Sequence, residues 1–123
     1  MVKKKILLVD DEKNLRILVK EVLSGGGYTV RAVASGMECL KELKTFRPNL
    51  IIMDMMMPKM SGYDTIKEIR KDPKNDNIKI VVLTVSKVAE AAKFQLSKFN
   101  VSDYINKPFD NKELIKRLKK FII

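Results

Sequence analysis

Five polar residues follow short apolar runs of the chain, and their types could carry chemistry together. They are Asp10, Asp11, Asp54, Thr84 and Lys107. Three carboxylates brought together repel unless a cation joins them, and Mg²⁺ prefers such hard oxygen ligands. A carboxylate can also attack phosphorus, so Asp54 is a candidate for forming an aspartyl phosphate. Lys107 could then neutralise part of the added charge, while the Thr84 hydroxyl donates a hydrogen bond to a phosphoryl oxygen.

The elements that must position these residues alternate between strands and helices. Short apolar runs predict strands at 5–9, 28–33, 50–54, 78–83 and 101–106. Helical periodicity predicts helices at 14–23, from 36 to about 46, from 62 to 71, around 88–99 with Asn100 as its cap, and from 111 onward. Capping boxes mark the second and the last of these helices, at Ser35 with Glu38 and at Asp110 with Glu113, and Ser61 resembles another helix start.

This alternation predicts an α/β, doubly wound parallel sheet with helices on both faces. The carboxyl ends of parallel strands then lie on one edge, where such folds bind ligands. Asp10, Asp11, Asp54, Thr84 and Lys107 all fall at that edge. The strand around Asp54 is apolar on both alternating faces, so burial of its terminal carboxylate needs compensation or a function.

Taken singly, these residues also have ordinary structural interpretations. Asp10 or Asp11 could be a helix N-cap, Thr84 is unremarkable at a strand end, and Lys107 before a proline could mark a turn. Occurring together at successive strand ends, they favour a functional site. A methionine cluster at 53–60 could bind Cu(I), but we predict that it packs into the core, with two of its five methionines facing inward.

Composition limits the possible functions. The 123 residues, 46% of them hydrophobic, suit one domain with a single core, so we expect residues 1–123 to form one domain. The single cysteine, Cys39, cannot form an internal disulfide, which indicates the cytoplasm. No apolar segment approaches the ~20 residues needed to cross a bilayer, so no membrane association is expected.

The net charge of +10 raises the question of a nucleic-acid partner. Basic residues outnumber acidic ones by 16 to 11 over residues 1–86 and by 9 to 4 over residues 87–123, so the excess is spread along the chain. No Arg-Gly run, zinc-ligand set or interleaved aromatic series accompanies it. Direct nucleic-acid binding is therefore not expected, although the lysine-rich last helix favours an acidic protein partner.

These motifs resemble the receiver domains of two-component response regulators. Asp10-Asp11 resembles the family's acidic pair, Asp54 to Pro58 with Met60 and Gly62 its phosphorylation loop, Thr84 its hydroxyl and Lys107-Pro108-Phe109 its lysine loop. The resemblance extends from Lys5 to the last helix. It implies a flavodoxin-like (βα)5 fold with a five-stranded parallel sheet in the order 2-1-3-4-5.

The resemblance also implies a role for each site residue. Asp54 would be the phosphoacceptor. The Mg²⁺ ligands would be Asp11, Asp54, the Met56 backbone carbonyl and, through water, Asp10, with Mn²⁺ as a substitute metal. Lys107 would contact the phosphoryl group, next to a cis lysine–proline bond. Thr84 and Tyr104 would switch the surface of the fourth helix, fifth strand and fifth helix.

In such a domain, a sensor histidine kinase or phosphotransfer protein supplies the phosphoryl group, and a downstream target docks on the switched surface. The domain catalyses its own Mg²⁺-dependent phosphorylation and dephosphorylation. Two other classes fit less well: Asp10-Asp11-Glu12 would repel a flavin phosphate, and a haloacid-dehalogenase-type phosphatase needs an acid where this chain has Met56. The native Met1 and apolar C-terminus favour a stand-alone receiver, the alternative being one cut from a longer regulator with a DNA-binding or enzymatic output domain.

Three positions are expected to set the kinetics. Val85 stands where the family usually has alanine or glycine, and its branched side chain could narrow access to Asp54. Met56 and Ser86 lie at positions where the family tunes hydrolysis. Because the Met56 side chain offers no strongly polar group to orient water, we predict a long-lived phosphoryl state.

Overall fold

The structure, a computed structural model, describes residues 3–122 except for the side chain of Ser86. Five strands and five α-helices alternate along the described chain. They are β1 (Lys5–Val9), α1 (Lys13–Gly25), β2 (Thr29–Val33), α2 (Gly36–Glu42), β3 (Leu50–Asp54), α3 (Gly62–Lys71), β4 (Lys79–Val85), α4 (Ala89–Leu96), β5 (Asp103–Lys107) and α5 (Asn111–Ile122). Short 3-10 helices at Pro73–Asn75 and Ser86–Val88 flank β4. The predicted βα alternation is confirmed.

The strands form one parallel sheet in the order β2-β1-β3-β4-β5, as the family resemblance implies. The register aligns Val9 with Met53, Asp54 with Leu83 and Val85 with Lys107. Every strand therefore delivers its carboxyl end to the same edge. Along that edge, the carboxyl ends of β1, β3, β4 and β5 lie side by side.

Two hydrophobic clusters cover the two faces of this sheet. One holds Leu7, Val9, Ile51 and Met53 against apolar side chains of α2, α3 and α4. The other holds the alternate strand residues, including Ile6, Leu8, Leu50 and Ile52, against α1 and α5. Because successive strand residues point to opposite faces, the central strands must be apolar throughout. This double burial explains the continuous run that precedes Asp54.

Side-chain caps lie at three of the predicted helix starts. The Ser35 hydroxyl accepts a hydrogen bond from the Glu38 backbone N–H, and the Ser61 hydroxyl accepts one from the Asp64 N–H. At α5, the Asp110 carboxylate accepts from the Lys112 N–H. Each cap satisfies a backbone donor that has no partner within its helix.

The structure differs from the sequence-based boundaries at several elements. Helix α2 ends at Glu42 rather than near residue 46, and the buried Phe46 follows in a turn. Strand β4 continues through Thr84 to Val85, so Thr84 is a strand residue. Strand β5 begins at Asp103 rather than at residue 101 and includes Lys107. Sequence periodicity does not indicate at which residue pairing with a neighbouring strand starts or stops.

Asn100 does not cap α4, which corrects the prediction. The helix ends at Leu96 with Ser97 at its C-cap, while Asn100 adopts the left-handed region at φ 55°. Asparagine tolerates this conformation better than most residues. Its carbonyl and that of Phe99 accept hydrogen bonds from the Arg70 guanidinium, which anchors this link to α3.

Candidate metal and phosphoryl site

Three carboxylates meet at the carboxyl edge of the sheet. Asp10 is fully buried and Asp54 is 3% exposed, whereas Asp11 is exposed. One oxygen from each lies within 4.8 Å of the others. Among the described residues, this is the one group of three or more potential carboxylate, thiolate or imidazole ligands that a single metal ion could join. A cluster of oxygen ligands that leaves positions for water suits Mg²⁺.

Lys107 brings a positive charge to the same point. Its Nζ lies 2.8 Å from Asp10 Oδ2 and 3.4 Å from Asp54 Oδ1. Burial alone would lower the pKa of Lys107, but the hydrogen bond to Asp10 and the charges of both aspartates outweigh it and raise that pKa. The ammonium therefore remains charged and compensates the two buried carboxylates.

The Asp54 carboxyl is nevertheless harder to ionise than an ordinary aspartate. Burial raises its pKa to about 6, and the neighbouring Asp10 charge adds to the effect. Lys107 and a hydrogen bond from the Met56 N–H, 3.2 Å from Asp54 Oδ1, act in the opposite direction. Burial and the Asp10 charge together outweigh the effect of the single ammonium. A bound divalent cation would therefore favour the ionised form of Asp54.

Hydrogen bonds hold Asp10 in place, and neither aspartate of the pair is the N-cap of α1. Glu12 occupies that position without a side-chain cap, and its N–H donates to Asp10 Oδ1 at 2.9 Å. Arg16 donates from its guanidinium to the Asp10 carbonyl at 2.9 Å. Sequence analysis missed Arg16; its position on the first turns of the helix that follows Asp10-Asp11 was the available signal.

Gly62 allows the chain to pack tightly behind Asp54. A Cβ at this position would lie 2.4 Å from the Asp54 carbonyl oxygen and 2.7 Å from Met55 Cα. The Gly62 N–H also donates to the Met55 carbonyl at 3.1 Å. Only glycine lets the start of α3 approach the loop after β3 this closely.

Thr84 and Tyr104 lie on adjacent strands near this edge, but the hydrogen-bond and ion-pair partners of the Asp54 carboxylate are Met56 and Lys107. Thr84 is buried, and its hydroxyl donates to the Val85 carbonyl at 3.3 Å. Tyr104 is half-buried, with the Lys93 ammonium of α4 5.9 Å from its ring centroid, and burial raises its pKa. Their roles as switch residues therefore stay predictions.

The residues predicted to set the phosphorylation kinetics lie in different surroundings. Val85 is half-buried and lines an apolar groove of about 370 Å³ together with Leu15, Leu18, Pro108 and Phe109. Met56 is 63% exposed. The side chain of Ser86 lies outside the described part of the structure.

The methionines near the site mostly fill the core. Met53, Met55 and Met57 belong to one hydrophobic cluster, one residue more than the two expected to face inward. Met60 is half-buried, so Met56 is the exposed member of the group. The packing interpretation is confirmed for the three core residues.

The peptide bond between Lys107 and Pro108 is cis, as the family resemblance implies. Within residues 3–122, no helix combines the length and apolar character required to cross a membrane.

Comparison with known proteins identifies the family. Residues 6–119 match the response regulator receiver domain. The chain belongs to this family. It is 35% identical over 119 residues to the chemotaxis protein CheY of Thermotoga maritima, covering 95% of this chain and 96% of that protein. Receiver domains act in two-component signalling, phosphorylation is a general property of the family, and they interact with histidine kinases and downstream targets.

Solved structures share the fold closely. Chemotaxis protein CheY4 of Vibrio cholerae superposes with a TM-score of 0.91 at 30% identity, covering 98% of this chain and 99% of that one. The receiver domain of sensor histidine kinase PA1611 from Pseudomonas aeruginosa gives a TM-score of 0.86 at 28% identity, covering 98% of each chain. That receiver holds a magnesium ion in its active-site cleft.

Several curated relatives are much longer than this chain. It spans 48% of a probable transcriptional regulator that is 39% identical and 7% of a hybrid signal transduction histidine kinase that is 37% identical. The receiver domain thus occurs in these relatives as one part of a larger protein.

Proposed function

We propose that residues 1–123 form one phospho-accepting receiver domain, in which Asp54 takes a phosphoryl group from a histidine kinase or phosphotransfer protein with the help of Mg²⁺. The observation that carries this proposal is the convergence of Asp10, Asp11 and Asp54 oxygens within 4.8 Å of one another, with Lys107 alongside. Aspartyl phosphorylation requires a carboxylate that can attack phosphorus, oxygen ligands for a cation and a nearby positive charge, and these groups are present here.

The residues present fit a resident Mg²⁺ ion. Asp11, Asp54 and the Met56 backbone carbonyl would hold it directly, and Asp10 through water, with Mn²⁺ as a substitute. When bound, the ion supplies charge neutralisation for the incoming phosphoryl oxygens. The magnesium in the related PA1611 receiver supports this assignment.

Phosphoryl transfer then uses three side chains of this chain. The Asp54 carboxylate attacks phosphorus, an O–P bond forms, and the N–P bond of the donor phosphohistidine breaks, leaving its electron pair on the imidazole nitrogen. Lys107 moves from Asp10 toward the new phosphoryl oxygens. The Thr84 hydroxyl exchanges the Val85 carbonyl for a phosphoryl oxygen, since a charged acceptor gives the stronger hydrogen bond.

Movement of Thr84 would transmit the change to the surface formed by α4, β5 and α5. Thr84 and Tyr104 lie on the adjacent strands β4 and β5, and the Lys93 side chain of α4 approaches the Tyr104 ring. An inward turn of this ring would alter the α4 surface on which a downstream target docks. The exposed lysines of α5 favour an acidic target, whose binding should weaken as salt increases.

The phosphoryl donor is expected to dock over the apolar groove between α1 and the loop before α5. This groove is lined by Lys107 and by Leu18, whose exposed fraction is 45%. Exposed apolar side chains next to a reactive site suit a transient protein partner. Leu18→Asp should slow transfer from a phosphohistidine protein but leave labelling by acetyl phosphate unchanged; equal effects on both donors would contradict this docking site.

The alternative output is a DNA-binding or enzymatic domain in a longer protein that contains this receiver. The longer transcriptional relatives favour it, whereas the relative of nearly equal length favours a stand-alone receiver. The reading frame at the source distinguishes the two.

The function is tested by locating the modified residue. The chain is incubated with Mg²⁺ and acetyl phosphate, reduced with borohydride to convert aspartyl phosphate to homoserine, digested and sequenced by mass spectrometry. Homoserine at position 54 is expected. Conversion at another aspartate, or at none, would refute the proposal.

A further inference from the structure

The Met56 thioether is an exposed, oxidisable group at the rim of the proposed phosphorylation site. The side chain is 63% exposed, while the backbone N–H of the same residue donates to Asp54 Oδ1 at 3.2 Å. A methionine side chain is short, so its sulfur stays within roughly 9 Å of that oxygen in every rotamer. The residue is therefore open to solvent, and its sulfur lies within reach of the rim of the site.

Burial protects the neighbouring methionines from oxidation. Met53 is fully buried, and Met55 and Met57 are 8% and 9% exposed. Met37, at the start of α2, is the other methionine in the described chain with comparable exposure, at 64%. It lines a separate groove between α2 and α3. A mild oxidant should therefore convert Met37 and Met56 first and leave the core intact.

We propose that Met56 is a reversible oxidation site, and that its sulfoxide shortens the lifetime of the phosphoryl group on Asp54. The second part rests on the proposed function. The oxidant is a peroxide: the sulfur lone pair attacks one peroxide oxygen, an S–O bond forms and the O–O bond breaks. The departing hydroxide takes the proton of the sulfur-bound hydroxyl and leaves as water, so that the sulfoxide forms. Sulfur loses two electrons, and the peroxide gains them.

The functional effect follows from the change in polarity. A thioether is a weak hydrogen-bond acceptor, whereas a sulfoxide oxygen accepts hydrogen bonds strongly. Beside Asp54, that oxygen would hold a water molecule near the phosphorus, and positioning of the attacking water is a major part of such hydrolysis. Because the side chain points to solvent, the added oxygen costs no core packing.

Met37 supplies a matched control, because the two side chains are equally exposed but only Met56 is next to Asp54. The wild-type chain, Met37→Leu and Met56→Leu are treated with limiting hydrogen peroxide, and oxidised positions are mapped by peptide mass spectrometry. Each protein is then phosphorylated with acetyl phosphate and Mg²⁺. After donor removal, the phosphoryl group is followed by intact mass and compared with that of the untreated form of the same protein.

We expect oxidation to accelerate phosphoryl loss about three-fold or more in the wild type and in Met37→Leu, but not in Met56→Leu. Methionine sulfoxide reductase should restore the original lifetime, and untreated Met56→Gln should imitate the oxidised wild type. Core methionines oxidising before Met56, unchanged decay after Met56 oxidation, or acceleration that persists in Met56→Leu would each overturn the inference. An untreated chain that accepts no phosphoryl group would instead refute the proposed function, and with it the second part of this inference.

Discussion

Replacing the candidate phosphoacceptor should stabilise the metal-free protein. Asp54 is 3% exposed, and its pKa is raised from 3.8 to about 6 by burial and by the charge of Asp10. A pKa difference of that size corresponds to about 3 kcal/mol, the free energy by which ionised Asp54 disfavours the folded chain at neutral pH. Asp54→Asn removes the charge but keeps an oxygen that can accept from the Met56 N–H.

The sign of the pH dependence follows from the same shift. A raised pKa means that the folded chain holds the Asp54 proton more tightly than the unfolded chain. This favourable contribution is complete below about pH 4 and is lost as pH rises through about 6. The gain from Asp54→Asn should therefore be greatest at pH 7.5, at about 1 to 3 kcal/mol, and should nearly vanish at pH 4.

The assay is thermal and urea unfolding in the presence of a chelator at both pH values. At neutral pH the melting temperature should rise by roughly 4 to 10 °C. Glu21→Gln, which removes a charge from an exposed position on α1, serves as the control and should change stability by less than about 0.5 kcal/mol. A variant that is no more stable than the wild type at pH 7.5, or a gain independent of pH, would refute the reasoning.

Three further predictions concern the framework of the site. Gly62→Ala should lower the free energy of unfolding by more than about 2 kcal/mol and weaken Mg²⁺ binding, because its Cβ would meet the backbone of Asp54 at 2.4 Å. Gly25→Ala in α1, whose Cβ meets nothing within 4 Å, should leave the free energy of unfolding unchanged or raise it by up to about 1 kcal/mol. Urea unfolding compares the two, and equal losses would contradict the account. Arg70→Met should lower the free energy of unfolding by about 2 to 4 kcal/mol in the same assay, because backbone carbonyls from four residues lose a charged donor. A loss below about 0.5 kcal/mol would show that these hydrogen bonds contribute little to stability. Lys107→Met should destabilise the metal-free chain by leaving buried Asp10 without its ammonium partner, so Mg²⁺ should raise the melting temperature more than in the wild type. An equal Mg²⁺ effect would argue against that compensation.

The alternation of elements and the edge at which the site lies were predictable from the sequence. The apolar run before Asp54 can be buried on both faces only in a sheet covered by helices, and parallel strands then end on one side. The strand order was a different matter. It came from the family resemblance, because apolar patterning does not determine which strand pairs with which.

Local contacts were less accessible to sequence analysis. Nothing in the sequence around the left-handed Asn100 indicates its main partner, because its carbonyl accepts a hydrogen bond from the guanidinium of Arg70, 30 positions earlier in the chain. The contact between Lys107 and Asp10 joins residues 97 positions apart. Likewise, Thr84 was assigned to the site by its position, but the orientation of its hydroxyl toward the Val85 carbonyl depends on local backbone geometry.

The central claim is that Asp54 accepts a phosphoryl group at a site completed by Mg²⁺. Intact mass after incubation with acetyl phosphate tests it most directly, for the wild-type chain with Mg²⁺, the same chain with a chelator, and Asp54→Asn with Mg²⁺. The account predicts one phosphoryl adduct in the first sample and none in the other two. An adduct that survives chelation or appears on Asp54→Asn, or no adduct on a folded, Mg²⁺-binding wild-type chain, would contradict it.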